Sequence, residues 1–91
     1  MRITSSPVVA LNYAAAVAMS EGPERGLDLL EAAGAGGALD NYYLFHASRA
    51  DLLRRLNRLD EAVTAYTTAL SLTTNVVEQN YIRRRLNELK Q

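Results

Sequence analysis

His46, Arg49 and Asp51 are the residues of this chain whose types could do chemistry together. An imidazole can serve as a base or a metal ligand, a carboxylate can orient it, and a guanidinium can hold an anion. Their spacing supports less. His46 is the sole histidine, and no second metal ligand lies at helical spacing from it. Ser48 falls on another face of the same helix, so no nucleophile–base pair forms there. His46 therefore reads as a structural hydrogen-bonding residue. Arg49 reads as an interhelical clamp, with Asp28, Asp51 or a helix C-terminus as its partner. Asn12, an amide on an apolar helix, reads as a bridge between two helices.

Other groups are explained by local structure. Asp60-Glu61 and Glu21/Glu24 read as carboxylates at helix N-termini, not as a glycosidase pair. Gly34-Ala35-Gly36-Gly37 is followed by no Lys-Ser/Thr and is not a phosphate loop. With no cysteine in the chain, disulfides and thiolate metal sites are excluded. No catalytic residue, cofactor or metal is expected, and the chain reads as a non-enzyme.

The elements that position these residues are helical. The 91 residues are 48% hydrophobic and 22% charged, and alanine and leucine dominate. One small domain is expected, burying roughly 60–65% of the surface its unfolded chain exposes. Ser6 and Pro7 mark a first helix over about 7–20. The same Ser-Pro signal accounts for the apolar patch after Met1 better than a secretory leader does, and a cytoplasmic location is expected. Gly22 then Pro23 start a second helix over about 23–33, striped by Leu27, Leu30 and Ala33. After the glycine loop, Asp40 is expected to cap a third helix over about 41–56, with one of Tyr42 and Tyr43 packed and the other exposed. Asn57-Arg58 form a tight turn into a fourth helix over about 59–72, striped by Ala62, Val63, Tyr66, Ala69 and Leu70. Its threonines make that helix intrinsically weak. Asn75 and Glu78 have capping-box spacing at the head of a fifth helix over about 76–90, whose stripe is Ile82, Leu86 and Leu89 with Tyr81 beside it.

A repeat runs through this pattern. Ala14 and Ala50 hold equivalent places, as do Gly26 and Ala62, Leu30 and Tyr66, and Ala33 and Ala69. Small residues where helices must approach, on two matching hairpins, are the mark of a helical-repeat stack with an end cap. Asn12, Tyr13, Asp51, Arg54 and Arg55 are the candidate partner-binding residues. Leu11, Ala15 and Ala47 are expected beside them on a concave face. His46, Arg49, Ala14, Ala50, Ala62 and Tyr66 are the candidate interhelical residues. Ten basic residues balance ten acidic ones, which argues against nucleic acid as the partner. No segment is long and apolar enough to span a membrane.

The segment from His46 to Thr74 resembles the tetratricopeptide repeat. His46, Arg49, Ala50, Leu53, Ala62, Tyr66 and Thr74 occupy its diagnostic slots; the small and aromatic slots agree, while the Trp, Leu and Pro slots do not. A second resemblance covers nearly the whole chain. The strings S-P-V-V-A-L-N-Y-A-A-A-V-A, G-P-E-R-G-L-D-L-L, Y-Y-L-F-H-A-S-R-A-D-L-L-R-R-L-N-R and N-V-V-E-Q-N-Y-I-R-R-R-L resemble the C-terminal tetratricopeptide-like domain of bacterial extracytoplasmic-function (ECF) sigma factors. The resemblance implies an all-α, five-helix, right-handed stack that regulates transcription initiation through protein contacts with other sigma regions, RNA polymerase or a regulator. It implies no promoter binding by this chain, which would then be an excised domain or a truncated reading frame. Tyr13 stands where it implies arginine. The alternative is a freestanding helical adaptor that forms a homodimer.

Overall fold

The computed structural model of the protein describes residues 7–90. Ser6, the expected cap of the first helix, lies outside the described residues. Among the described residues the fold is all-α with five helices: α1 (Pro7–Glu21), α2 (Pro23–Gly34), α3 (Tyr43–Arg55), α4 (Leu59–Ser71) and α5 (Val76–Leu89). Helices α1 and α2 form one hairpin and α3 and α4 another; α2 packs on α3, and α5 covers α4.

Close helix approach is written in the small residues. Ala14, Ala50 and Ala62 are fully buried, and Gly26 is buried with them. A Cβ placed on Gly26 would lie 2.4 Å from the Ala18 Cβ and 2.8 Å from its Cα. The two backbones of the first hairpin therefore touch at a point that only glycine permits. Large side chains fill the space around these contacts: Leu11, Leu30, Leu53, Tyr66 and Ile82 are the largest that are completely enclosed. Each such aliphatic burial is worth about 1.5–3 kcal/mol relative to exposure.

The turns show why the hairpins close. Gly22, at φ +101°, ends α1 and admits Pro23 as the first residue of α2. Asn57, at φ +62°, ends α3: its N–H bonds the Arg54 carbonyl at 2.9 Å and the Arg58 N–H bonds the Leu53 carbonyl at 2.9 Å. This pair of bonds is a Schellman motif with asparagine in the left-handed position.

Three local expectations are corrected. Asp40 does not cap α3, which starts later, at Tyr43, after Tyr42 as a cap residue without a side-chain bond. Residues 37–42 are taken up instead by turns that begin at Gly37 (φ +84°), and buried Leu39 anchors them. Gly34 belongs to α2, not to the loop; a Cβ there would meet the Phe45 ring at 2.5 Å, so glycine lets α3 come close. Glu21 ends α1 and does not start a helix. Arg25 lies 3.7 Å from it and offsets a carboxylate at the unfavourable end of a helix dipole.

The stripes largely agree with the helical spacing. In α4 Ala62, Tyr66 and Ala69 are buried together with Ala65, while Val63 and Leu70 are half-buried. The α4 threonines turn their hydroxyls back onto carbonyls four residues earlier, as Thr67 does to Val63 at 2.8 Å. In α5 Ile82 is buried and Leu86 and Leu89 are half-buried, as suits a helix with one packed side. The side chain of Asn75 accepts from the Glu78 N–H at 3.0 Å. Glu78 does not return the bond: Thr73 intervenes, donating its hydroxyl to Glu78 and accepting from the Asn75 N–H.

Candidate protein-docking cleft and its polar support

The face shared by α1 and α3 carries a shallow cleft of about 180 Å³. Leu11, Ala15, Ala18, Met19 and Leu30 make its apolar wall, and Ser48, Asp51, Leu52 and Arg55 line it from α3. The repeat explains the opening. Small residues on α1 leave room that a bulkier helix would have filled. The dimensions suit a side chain or two from another polypeptide and fall below the usual range for a small-molecule cavity.

Asp51 is the hub beneath one wall. Tyr66 of α4 donates to its Oδ1. Tyr81 of α5 donates to the same carboxylate, at 2.9 Å to Oδ1 and 3.1 Å to Oδ2. Arg54 donates to the Tyr66 hydroxyl at 3.1 Å and lies 3.8 Å from Asp51. Arg85 adds a 3.3 Å bond to the Tyr81 hydroxyl, stacks its guanidinium 5.2 Å from the Tyr81 ring centroid, and bonds Glu88 at 3.0 Å. Three helices are thus joined through one carboxylate. Burial, and then donation to Asp51, pushes the Tyr66 hydroxyl well above the ordinary tyrosine value. Tyr43 is also raised, first by burial and then by the nearby charges of Glu78 and Asp51. Among the described residues no enclosed side-chain nitrogen or oxygen lacks a hydrogen-bond partner.

The remaining candidates divide between surface and scaffold. Asn12 is exposed on α1 and bridges no helices, contrary to the sequence reading. Tyr13 is 62% exposed beside it. Leu11 and Ala47, expected on the concave surface, are buried; Leu11 still borders the cleft from below, and Ala15 and Met19 are the exposed part of its apolar wall. Arg54 is engaged with Tyr66, whereas Arg55 is exposed at the rim. Arg49 is an interhelical clamp, but its partner is Glu31 of α2, at 2.8 Å. Glu31 lies three residues beyond Asp28, a register that the sequence alone did not resolve. His46 is not interhelical. Its Nε2 donates to the Asp40 carbonyl at 2.7 Å and ties the α2–α3 turns to α3. Tyr43 packs against the core and Tyr42 is exposed, as expected of that pair.

Arg58, in the turn before α4, is held by a carboxylate of that helix. Arg58 makes a two-pronged bond to Glu61, at 2.8 and 2.9 Å. That bond, set against some desolvation, holds the Glu61 carboxyl below its usual range. Among the described residues no group of three or more His, Cys, Asp or Glu is placed to hold a metal ion. No helix of the described chain is long and apolar enough to cross a membrane.

The signal missed in the sequence is the lack of charge on α1. Glu21 is its one charged residue. Its outward side carries Val8, Val9, Asn12, Tyr13, Ala15, Ala16 and Met19, all exposed.

The described residues thus form an all-helical stack of two hairpins closed by an end helix. No protein-family model matches the chain. No solved structure is significantly similar to it. An uncharacterized protein of Rhizobium meliloti (strain 1021) is 44% identical over 88 residues, which make up 97% of this chain and 20% of that protein. The chain therefore spans about a fifth of the length of that relative.

Proposed function

We propose that this chain is a tetratricopeptide-like protein-interaction domain of an ECF-type sigma factor, which controls transcription initiation by contacting other sigma regions, RNA polymerase or a regulator. The observation that carries the reading is the pair of tightly nested hairpins with the cleft of Leu11, Ala15, Met19, Asp51 and Arg55 between α1 and α3. A stack of this kind holds its partner through a preformed surface, and the hydrogen-bonded Asp51 hub fixes α3 as one wall of it. The sequence resemblance supplies the sigma-factor setting. The Rhizobium relative is consistent with a module inside a longer polypeptide, since its matching segment is a fifth of its length. The domain contributes no promoter contact in this reading and needs no cofactor.

The test is deletion of residues 7–90 from the polypeptide that carries them, followed by promoter-dependent transcription in vitro. Altered transcription or altered response to a regulator is expected. Unchanged transcription and regulation would remove the sigma-factor reading. The second reading, a freestanding adaptor that dimerises, is favoured by the uncharged outer side of α1.

A further inference from the structure

Taking the cleft between α1 and α3 as the polypeptide grip proposed above, on which this step rests, we infer that its occupant is an acidic peptide segment. One apolar side chain of that segment sits against Leu11, Ala15 and Leu52, and Arg55 holds a neighbouring carboxylate. Asp51 and Arg55 are the charged residues that line the cleft, and their states differ. The Asp51 carboxylate accepts from the Tyr66 and Tyr81 hydroxyls and lies 3.8 Å from Arg54, so its charge is already met by groups of the fold. Arg55 is exposed, and its guanidinium bonds no described residue. The arginines around it in the chain are all held: Arg49 by Glu31, Arg54 by Tyr66 and Arg58 by Glu61. The charge that the cleft leaves free is therefore a cation.

The surroundings suit a carboxylate. A guanidinium presents its N–H donors as a fork that a carboxylate meets with two parallel bonds. Beside apolar side chains that exclude water, such a bond is stronger than on an open surface. The α1 wall carries no charge of its own, and Glu21, at the end of that helix, is offset by Arg25 at 3.7 Å. A cation suits the last turn of α3 in any case, but Arg54 shares that turn and is bonded within the fold. Leu52 and Arg55 stand three positions apart on one helix, about 5–6 Å from each other, so one short segment reaches both. Met19, 85% exposed at the lip, is unbranched and adapts to the side chain that enters. Ten basic residues balance ten acidic ones in the chain, so a preference for acids belongs to this site and not to the molecule as a whole.

Selection of a displayed library of random peptides on the immobilised full chain reads the preference without assuming a partner. The enriched peptides are expected to carry Asp or Glu beside Leu, Ile, Met or Phe. Amide NMR of the labelled chain with the best of them should shift Ala15 and Leu52. Arg55→Glu is expected to weaken that peptide roughly tenfold, as loss of a charge-assisted bond does. Exchange of the peptide's own carboxylate for an amide should match this loss, and selection repeated on Arg55→Glu should enrich Lys or Arg instead. Arg84→Glu makes the same change of charge at an exposed position on α5 outside the cleft, and is expected to leave binding unaltered. Circular dichroism checks that both variants keep their helices. No enrichment, enrichment of basic or uncharged peptides, or equal weakening by the two variants overturns the inference. Deletion of residues 7–90 reads the sigma-factor setting separately. Acidic peptides selected by a domain whose deletion leaves transcription unchanged would uphold the inference and remove that setting; altered transcription without acidic selection would do the reverse.

Discussion

The Tyr81 hydroxyl of α5 donates to the Asp51 carboxylate of α3, thirty positions earlier in the chain, at 2.9 Å. The same carboxylate accepts from Tyr66, so the end helix is pinned to the second hairpin by a shared acceptor. Replacing Asp51 by alanine leaves two hydroxyls without their acceptor, at a cost of about 1–3 kcal/mol. Native-state hydrogen exchange should show the loss first in α5, at Tyr81 and Ile82, while α1 stays protected. Equal loss of protection in α1 and α5 would contradict a local pin.

Gly26→Ala tests the nesting of the first hairpin. The new methyl would fall within 2.4 Å of the Ala18 Cβ and 2.8 Å of its Cα, so backbone must move. Overpacking of this kind costs about 1–3 kcal/mol, although alanine is the better helix former by about 1 kcal/mol. Urea unfolding should show a lower midpoint with an unchanged slope. A midpoint equal to or above that of the parent would mean the helices can part freely there.

Tyr66 predicts a direction for alkaline stability. Its folded value is raised, so above the ordinary tyrosine value of 10.0 the unfolded chain loses this proton before the folded one does. Ionisation therefore favours unfolding: the contribution is whole below pH 10 and is lost as pH rises toward the folded value. Thermal melts should fall in Tm through this window, and Tyr66→Phe should flatten the fall. Tyr43, raised in the same direction, leaves a smaller residual slope.

Asn75→Ala removes the side-chain acceptor for the Glu78 N–H at the head of α5. A loss of about 1 kcal/mol is expected. Thr73→Val should be comparable, because the Thr73 hydroxyl serves both the Asn75 N–H and Glu78. Chemical denaturation of the two single variants and the double variant measures their coupling.

Helical spacing made the five elements, the two hairpins and the buried small residues legible, because a 3.6-residue period and a glycine or alanine at each crossing are local signals. What stayed hidden depended on tertiary register. Arg49 was readable as a clamp, yet its choice of Glu31 over Asp28 is set by how α2 lies on α3. Asp51 and Arg54 read as open partner residues until Tyr66 and Tyr81 arrived from two other helices. Asp40 carried a capping residue type, but the turns started by Gly37 moved the helix start past it. The uncharged outer side of α1 was visible in the residues and is meaningful only once the buried side is known.

The proposed role of the α1–α3 cleft, gripping another polypeptide during transcription initiation, is tested by altering the cleft itself. Ala15→Glu together with Arg55→Glu places two carboxylates at exposed positions on the cleft without touching the buried core. The measurement is promoter-dependent transcription by the polypeptide that carries this domain, with circular dichroism confirming that the helices persist. The account predicts that the double variant reproduces the effect of deleting the domain. Transcription and regulation matching the unaltered protein, with the fold intact, would contradict it.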